Sequence, residues 1–227
     1  MLQHIGEDAW ITDGTHSAQN FGFCYTLRMV VIRLTSGDLW VWSPIPLSED
    51  LAAEIVELGK VRHIVSPNAF HHLSISQWQA AYPDATLFAA PGLTKRRADL
   101  SPGFTFGKEN PPWENEISTV LFRGNLLFEE AVFFHHASGT LIFTDILQNT
   151  PKEMNKGWRK RVALLDKMSG DEPQVPRKFR ITFRDKTALK QAISQVQAFP
   201  VSTVVVAHGD PVTKDAPEFL RRAFSWA

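Results

Sequence analysis

Short apolar segments separated by turn residues constrain the fold of this chain more than any other feature. From Asp8 to Trp42 the segments AWIT, FCYTLRMVVIRL and LWVW are rich in β-branched and aromatic residues, as is typical of antiparallel strands. Three more segments of this kind, EISTVLF, FEEAVFFH and TLIFTD, lie between residues 116 and 145. The pattern predicts two separate blocks of β-strand.

Helix and strand patterns alternate between the two blocks. Ser48 is a predicted N-cap for EDLAAEIVELG, and Ser74 with Gln77 forms a predicted capping box for SQWQAAY. The apolar segments VRHIV and ATLFAA flank the second helix, so this region is predicted to be a βαβ unit with parallel pairing. Ala90 to Pro112 is predicted to be a surface loop with a short helix at LTKRRADL.

Length and composition favour one domain over residues 1–227 that stays inside the cell. The 24 Lys and Arg equal the 24 Asp and Glu, which argues against a global basic field for nucleic acid. Cys24 is the only cysteine, which excludes an intramolecular disulfide and a cysteine zinc finger and favours a reducing compartment. No membrane span or signal peptide is predicted, and the expected location is the cytoplasm.

Three apolar strands run into side chains that bind metals. VRHIVSPNAFHH reaches His71 and His72, GTLIFTD reaches Asp145, and STVVVAHGD reaches His208. Strand ends gather functional side chains in layered α/β proteins, and imidazole with carboxylate suits zinc, iron or manganese. Any one of these residues alone would more simply be a turn or surface residue. Adjacent histidines also face one metal only if the backbone turns at Pro67.

The order of elements and these residues resemble the metallo-β-lactamase fold and, within it, the domain of unknown function 4336 family. In that superfamily a His-x-His-x-Asp-His motif follows an early βαβ unit, and here the motif aligns with residues 67–72. Pro67 and Ala69 replace the first two histidines, His71 replaces the aspartate, and His72 matches the closing histidine. The resemblance implies an α/β fold, an αββα four-layer sandwich of two mixed sheets flanked by helices.

Two further motifs carry the same resemblance. Asp145 in TLIFTD matches the family's bridging aspartate, and His208 in VVVAHGD matches the histidine on the last strand. Asn125 occupies the position at which the central histidine is expected. Since three ligands of the first metal position are replaced, the resemblance implies one divalent ion, zinc foremost with iron or manganese open, held by the four residues His71, His72, Asp145 and His208.

Two more residues are catalytic candidates beside this site. Asp210 is predicted either to hold the His208 ring or to act as a base beside a metal-bound water, and the alternative is a Gly-Asp-Pro turn. Asn68 is a candidate donor to a developing oxyanion, and the alternative is a simple turn former.

Three other histidines are less strongly indicated as residues of the metal site. His135 and His136 precede Asp145 by a hairpin arm and are expected at the opposite end of the strands, in structural or surface roles. His16 is a candidate for the site mouth.

A helical basic insert is predicted at about residues 146–197. From Lys152 to Lys190 it has 12 Lys or Arg against 5 acids. It suggests a lid that attracts an anionic substrate, a surface that faces RNA, or a solvated helix face whose aromatic residues anchor it to the core.

The first functional hypothesis is a metal-dependent hydrolase acting on a small ester, lactone, thioester or phosphoester. The alternative is a degenerate, metal-free member of the fold that binds a ligand or partner in the old cleft. A nucleic-acid processing factor is a third, least supported hypothesis because it depends on the basic insert alone. The expected partner is therefore a small molecule, anionic if the insert is a lid, with no membrane and no nucleic acid.

Overall fold

The computed structural model describes residues 1–14, 18–20 and 22–227. The prediction for His16 at the site mouth lies outside these residues. No helix in the described part of the chain is long and apolar enough to cross a membrane.

The larger of two main sheets has seven strands in the order β1-β2-β5-β6-β7-β8-β9. Pairing is antiparallel from β1 to β6 and parallel from β6 to β9. The strands are β1 Gln3–Gly6, β2 Ala9–Asp13, β5 Arg28–Arg33, β6 Asp38–Trp42, β7 Lys60–Ser66, β8 Thr86–Ala89 and β9 Phe104–Thr105. A separate hairpin consists of β3 Ala18–Asn20 and β4 Phe23–Tyr25.

The second main sheet has four strands in chain order, β10-β11-β12-β13. β10 to β12 pair antiparallel, and β13 joins β12 in parallel. The strands are β10 Ile117–Phe122, β11 Glu130–His135, β12 Thr140–Gln148 and β13 Thr203–His208. Both sheets are therefore mixed, as the resemblance implied.

Alternation along the strands divides the core into layers. In β6, Trp40 and Trp42 point between the two sheets, whereas Leu39 and Val41 point to the opposite face. Between the sheets the tryptophans share one hydrophobic cluster with Phe133 of β11. Because successive residues of a strand face opposite sides, both faces of each sheet need an apolar cover.

Helices supply the two outer covers. The helices are α1 Glu49–Leu58, α2 Ile75–Ala81, α3 Leu93–Arg96, α4 Gly157–Leu165, α5 Arg177–Thr182, α6 Lys186–Ala198 and α7 Ala216–Ala223. Buried side chains of α1 and α2 pack on the first sheet, and those of α6 and α7 pack on the second. The four-layer αββα sandwich is thereby confirmed.

Several local predictions differ from the structure. The segment FCYTLRMVVIRL forms two strands, because the chain leaves β4 at Tyr25 and starts β5 at Arg28. Ser74 makes no side-chain capping bond, and the Gln77 amide instead exchanges two hydrogen bonds with the backbone of Leu47. Ser48 does cap α1, accepting a hydrogen bond from the Leu51 N–H. Long-range contacts thus replaced the predicted capping box.

The range predicted for the basic insert contains most of helix α6. Helix α6 begins within the predicted range of 146–197 and ends at Ala198, and it buries Leu189, Ala192, Ile193 and Val196 in the core of the second half. It therefore belongs to the outer layer of the sandwich. The remaining segment, residues 149–185, is called the insert below.

His63 on β7 is packed inside an aromatic cluster. Its ring centroid lies 4.6 Å from that of Trp113 and 5.4 Å from that of Phe88, both at steep angles. Burial lowers the pKa of His63 to about 4, against an opposing effect of the Asp38 carboxylate. The fold therefore requires this imidazole to be neutral.

We expect His63 to cause part of the acid sensitivity of the fold. The unfolded chain takes up this proton near pH 6.5, but the folded chain does so only near pH 4, so acid favours unfolding between these values. As the pH is lowered over this range, the free energy of unfolding of His63→Phe should fall less steeply than that of the wild type. Because His63 is partly exposed, the two slopes should differ by at most about 1 kcal/mol per pH unit. Urea unfolding at several pH values measures the slopes, with exposed His4→Phe as the control. Equal slopes in wild type and His63→Phe would contradict the assignment.

Candidate metal centre

The turn after β7 delivers His71 to the edge of the first sheet. The Ser66 hydroxyl lies 3.0 Å from the backbone carbonyl oxygens of both Asn68 and His71 and can donate its hydrogen to either. The Asn68 side-chain oxygen accepts hydrogen bonds from the backbone N–H groups of Phe70 and His71. These bonds make the turn that the Pro67-Asn68 pair predicted, and they bury the His71 side chain to 8% exposure.

The backbone at Asp145 is positioned by the side chain of Glu130, which the sequence did not predict. Glu130, fully buried at the start of β11, accepts hydrogen bonds from the backbone N–H groups of Thr144, Asp145 and Ile146 at 2.7, 2.8 and 3.1 Å. β12 bulges between Phe143 and Gln148, so these N–H groups are directed to Glu130. Glu130 thus fixes the backbone that carries Asp145.

His208 is fastened to the first sheet across the sandwich. Its Nδ1 lies 2.7 Å from the carbonyl oxygen of Thr26, and the Thr26 hydroxyl donates to the carbonyl of Ala207 at 3.1 Å. The buried Arg28 guanidinium donates to the carbonyls of Val206 and Gly209 and also pairs with Asp13. We call Thr26 and Arg28, with their bonds to residues 206–209, the sheet clamp.

Three of the four predicted ligands converge. The nearest Asp145 oxygens lie 3.5 Å from His71 Nε2 and 3.3 Å from His208 Nε2. One ligand atom from each residue lies within 4.8 Å of the other two, and the group could hold a metal ion. His71 and Asp145 come from different sheets, so the site lies where the two sheets meet.

Hydrogen bonding fixes how these ligands face one another. A carbonyl only accepts, so His208 Nδ1 must carry a hydrogen for Thr26, and a neutral ring then presents a bare Nε2 to the Asp145 carboxylate. Asn68 Nδ2 donates to Asp145 Oδ2 at 2.7 Å, and Gln148 Nε2 donates to Oδ1 at 2.9 Å. A lone pair and an anion 3.3 Å apart require a cation between them, either a proton or a metal ion.

The two histidine-to-carboxylate distances can be compared with the ligand spacing around a four-coordinate ion. Ligand bonds of about 2.0–2.2 Å in tetrahedral geometry separate neighbouring ligand atoms by about 3.3–3.6 Å. His71 Nε2 lies 3.5 Å from Asp145 Oδ2 and His208 Nε2 lies 3.3 Å from Oδ1, so each distance falls in this range but the two end on different carboxylate oxygens. Both are long for a charge-assisted hydrogen bond. Three protein ligands would leave one position open, as catalytic zinc sites do.

The protonation states suit metal ligands as well. Burial lowers the pKa of His71, with the Asp145 carboxylate opposing it. Burial would raise the pKa of Asp145, but its contacts with His208 and His71 hold that pKa well below its ordinary value. A neutral imidazole and an ionised carboxylate are the forms that bind a divalent ion.

The structure does not bring His72 into this group. Consecutive side chains leave the turn in different directions, and the His72 ring instead lies against Arg97, with Nδ1 3.2 Å from its guanidinium. Burial and the neighbouring Arg97 and Arg96 charges lower the pKa of His72. The predicted four-residue ligand set is therefore reduced to His71, Asp145 and His208 among the described residues.

The two catalytic candidates occupy different surroundings. Asp210 is exposed beyond the end of β13. The sequence predicted that Asp210 could hold the His208 ring, but the Thr26 carbonyl holds it instead. Asn68 is fully buried, and its amide donates to Asp145 and, at 3.4 Å, to Glu130. Its hydrogens are thus directed at the two carboxylates, which makes Asn68 a positioning residue in this structure.

The remaining candidates lie away from the centre. Asn125 bonds to the Phe179 carbonyl and the Leu127 N–H, which organises the loop after β10. His135 bonds to Ser138, and His136 bonds to Ser118, at the end of β11 opposite Glu130. The structural role expected for this histidine pair agrees with these contacts.

Sequence reasoning missed several residues that surround the site, among them Glu130, Gln148 and Tyr25. Glu130 and Gln148 support Asp145, and the Tyr25 ring lies 5.2 Å from the His208 ring. Burial, followed by the charges of Asp145 and Asp166, raises the pKa of Tyr25, so its hydroxyl stays protonated. A detectable indication existed only for Glu130, an acidic residue that directly precedes the apolar segment AVFF.

The chain belongs to the family described as Domain of unknown function (DUF4336), which matches residues 9–167. No protein with a curated description matches it.

Solved structures with the metallo-β-lactamase fold are similar over the whole chain. A metallo-β-lactamase from Pontibacter korlensis is 12% identical, with a TM-score of 0.64 over 100% of this chain and 97% of that one. One from Hirschia baltica is 12% identical, with a TM-score of 0.61 over 98% and 96%. A flavodiiron core from Synechocystis is 12% identical, with a TM-score of 0.61 over 100% of this chain and 60% of that one. At this identity the likeness establishes the fold.

We expect Glu130→Gln to destabilise both the fold and the site. An amide nitrogen cannot accept a hydrogen bond, so at least one of the three backbone N–H groups would lose its partner, at a cost of about 1–3 kcal/mol. Urea unfolding measures the loss. Glu129→Gln is the matched control, since Glu129 is the half-buried neighbour whose carboxylate lies 3.7 Å from Arg123. Equal stability of the two variants would contradict the support role.

Proposed function

We propose that this protein is a metal-dependent hydrolase with a mononuclear centre at His71, Asp145 and His208. The observation that supports it most directly is the convergence of His71 Nε2 and His208 Nε2 on the buried Asp145 carboxylate, at 3.5 and 3.3 Å. The proposal takes zinc as the ion, because two imidazoles and one carboxylate are a ligand set that zinc accepts; iron and manganese accept it too.

When bound, such an ion would lower the pKa of a water toward about 7 and polarise a carbonyl or phosphoryl oxygen. The residues of this chain would do the remaining work. The Ser43 hydroxyl, 2.7 Å from His71 Nδ1, orients that ring, and the Thr26 carbonyl orients the ring of His208. Asn68 and Gln148 hold the two Asp145 oxygens in place.

The proposed substrate is a small ester, lactone, thioester or phosphoester. The fold alone does not choose among these, since the similar structures include both β-lactamases and a flavodiiron core. Tyr25 supports a polar substrate, because its ring lies 5.2 Å from the His208 ring and its raised pKa keeps its hydroxyl protonated as a donor. The expected location remains the cytoplasm.

Metal content provides the first test. Protein stripped with a chelator and reloaded with zinc should bind about one equivalent, measured by elemental analysis, because each remaining ligand is preorganised. His208→Ala and Asp145→Asn should each retain less than about a tenth of an equivalent.

His72→Ala is the matched control for metal content. It removes the adjacent histidine, which lies against Arg97, and should therefore keep the full equivalent. Loss of metal in this variant would restore the four-residue ligand set. A wild-type protein that takes up no metal would instead favour the metal-free, ligand-binding alternative.

Turnover provides the second test. With a panel of chromogenic esters, lactones, thioesters and phosphoesters, the zinc-loaded protein should hydrolyse at least one class. His208→Ala should reduce that rate to the rate of buffer alone. Asp210→Asn should keep the wild-type rate, because this carboxylate is exposed at the surface turn after β13. A strong loss in Asp210→Asn would make Asp210 a catalytic base.

A further inference from the structure

Two cations of the insert converge on one neutral oxygen. Lys167 Nζ lies 2.8 Å from Gln174 Oε1, and Arg180 Nη2 lies 3.3 Å from the same atom. An amide oxygen accepts both hydrogen bonds but neutralises neither charge. Like charges held this close repel each other, so the arrangement is costly unless an anion joins it.

Arg180 is preorganised. Its Nε donates to the Val175 carbonyl at 2.8 Å, and its guanidinium lies over the Trp226 ring, 5.3 Å from the centroid. These contacts fix the plane of the Arg180 guanidinium and leave its Nη1 side free of them. A fixed guanidinium loses little conformational entropy when it binds an oxyanion.

The carboxylates nearby have lysine partners, although the charge of Asp166 also acts on Arg180, where it opposes the lowering of the pKa by burial and by Arg177. Within the described residues, the ion pairs formed by side chains of the insert's lysines are Lys152 with Asp171, at 2.7 Å, and Lys178 with Asp166, at 3.4 Å. Burial, and then the charges of Arg180 and Arg177, lower the pKa of Lys167.

We propose that Lys167 and Arg180 form a binding site for a phosphate-class anion, either inorganic phosphate or the phosphoryl group of a small molecule. This anion site differs from the metal centre but is connected to it. The backbones of Gln174 and Gln148 exchange two hydrogen bonds of 3.0 Å, and the Gln148 amide holds Asp145. The site requires no metal, so the inference goes beyond the proposed hydrolase.

Calorimetric titration of metal-free, full-length protein with inorganic phosphate at constant ionic strength tests the proposal. Wild type should bind phosphate at one site. Arg180→Gln and Lys167→Gln should each bind at least about tenfold more weakly, because each removes a charge-assisted hydrogen bond. Lys152→Gln, which removes a cation already paired with Asp171, should bind as wild type does.

The Gln174→Glu variant separates loss of phosphate binding from loss of the folded structure. A carboxylate at this position would pair with both cations, so the melting temperature should be maintained or raised while phosphate binding is lost. His208→Ala should bind phosphate normally, which separates the anion site from the metal centre. The proposal is overturned if wild type binds no phosphate, if Gln174→Glu or Arg180→Gln binds it normally, or if only His208→Ala loses it.

Discussion

The buried carboxylate of Asp145 is the group on which the candidate centre depends. His71 reaches it from the first sheet and His208 from the second, while Asn68 and Gln148 donate to its two oxygens. A buried anion with so few cations nearby is stable only when hydrogen bonds or a positive ion replace its hydration. The contact between the sheets at this point is therefore polar, whereas the hydrophobic cluster that contains Trp40, Trp42 and Phe133 fills the space between them elsewhere.

A second buried carboxylate shapes the first. Burial and the charge of Asp145 raise the pKa of Glu130 to about 8, in spite of three backbone N–H donors. Asn68 lies between the two acids and donates to both. Asp145 and Glu130 thus form a small buried polar network, in which each acceptor oxygen needs a hydrogen-bond donor at a fixed position. This requirement explains why the strand bulges beneath Asp145.

The sequence predicted the elements that depend on local pattern. Strand alternation located both sheets, and the ends of the apolar strands identified Asp145 and His208. The choice between His71 and His72 depended on the rotation of a turn, which is set by bonds from Ser66 and Asn68. The supports were harder to predict. Thr26 holds His208 from 182 positions away in the chain, and no spacing of residues encodes such a partner.

The sheet clamp has a consequence for motion. Although residues 206–209 lie at the end of a strand, where chains usually fray, Thr26 and Arg28 join their carbonyls to the opposite sheet. Local opening there would remove the buried Arg28 guanidinium from its carbonyl partners, and hydrogen bonds to a charged group are costly to lose. Amide hydrogens around His208 should consequently exchange with solvent at the slow rate of the protein interior, so that this ligand behaves as part of the rigid core.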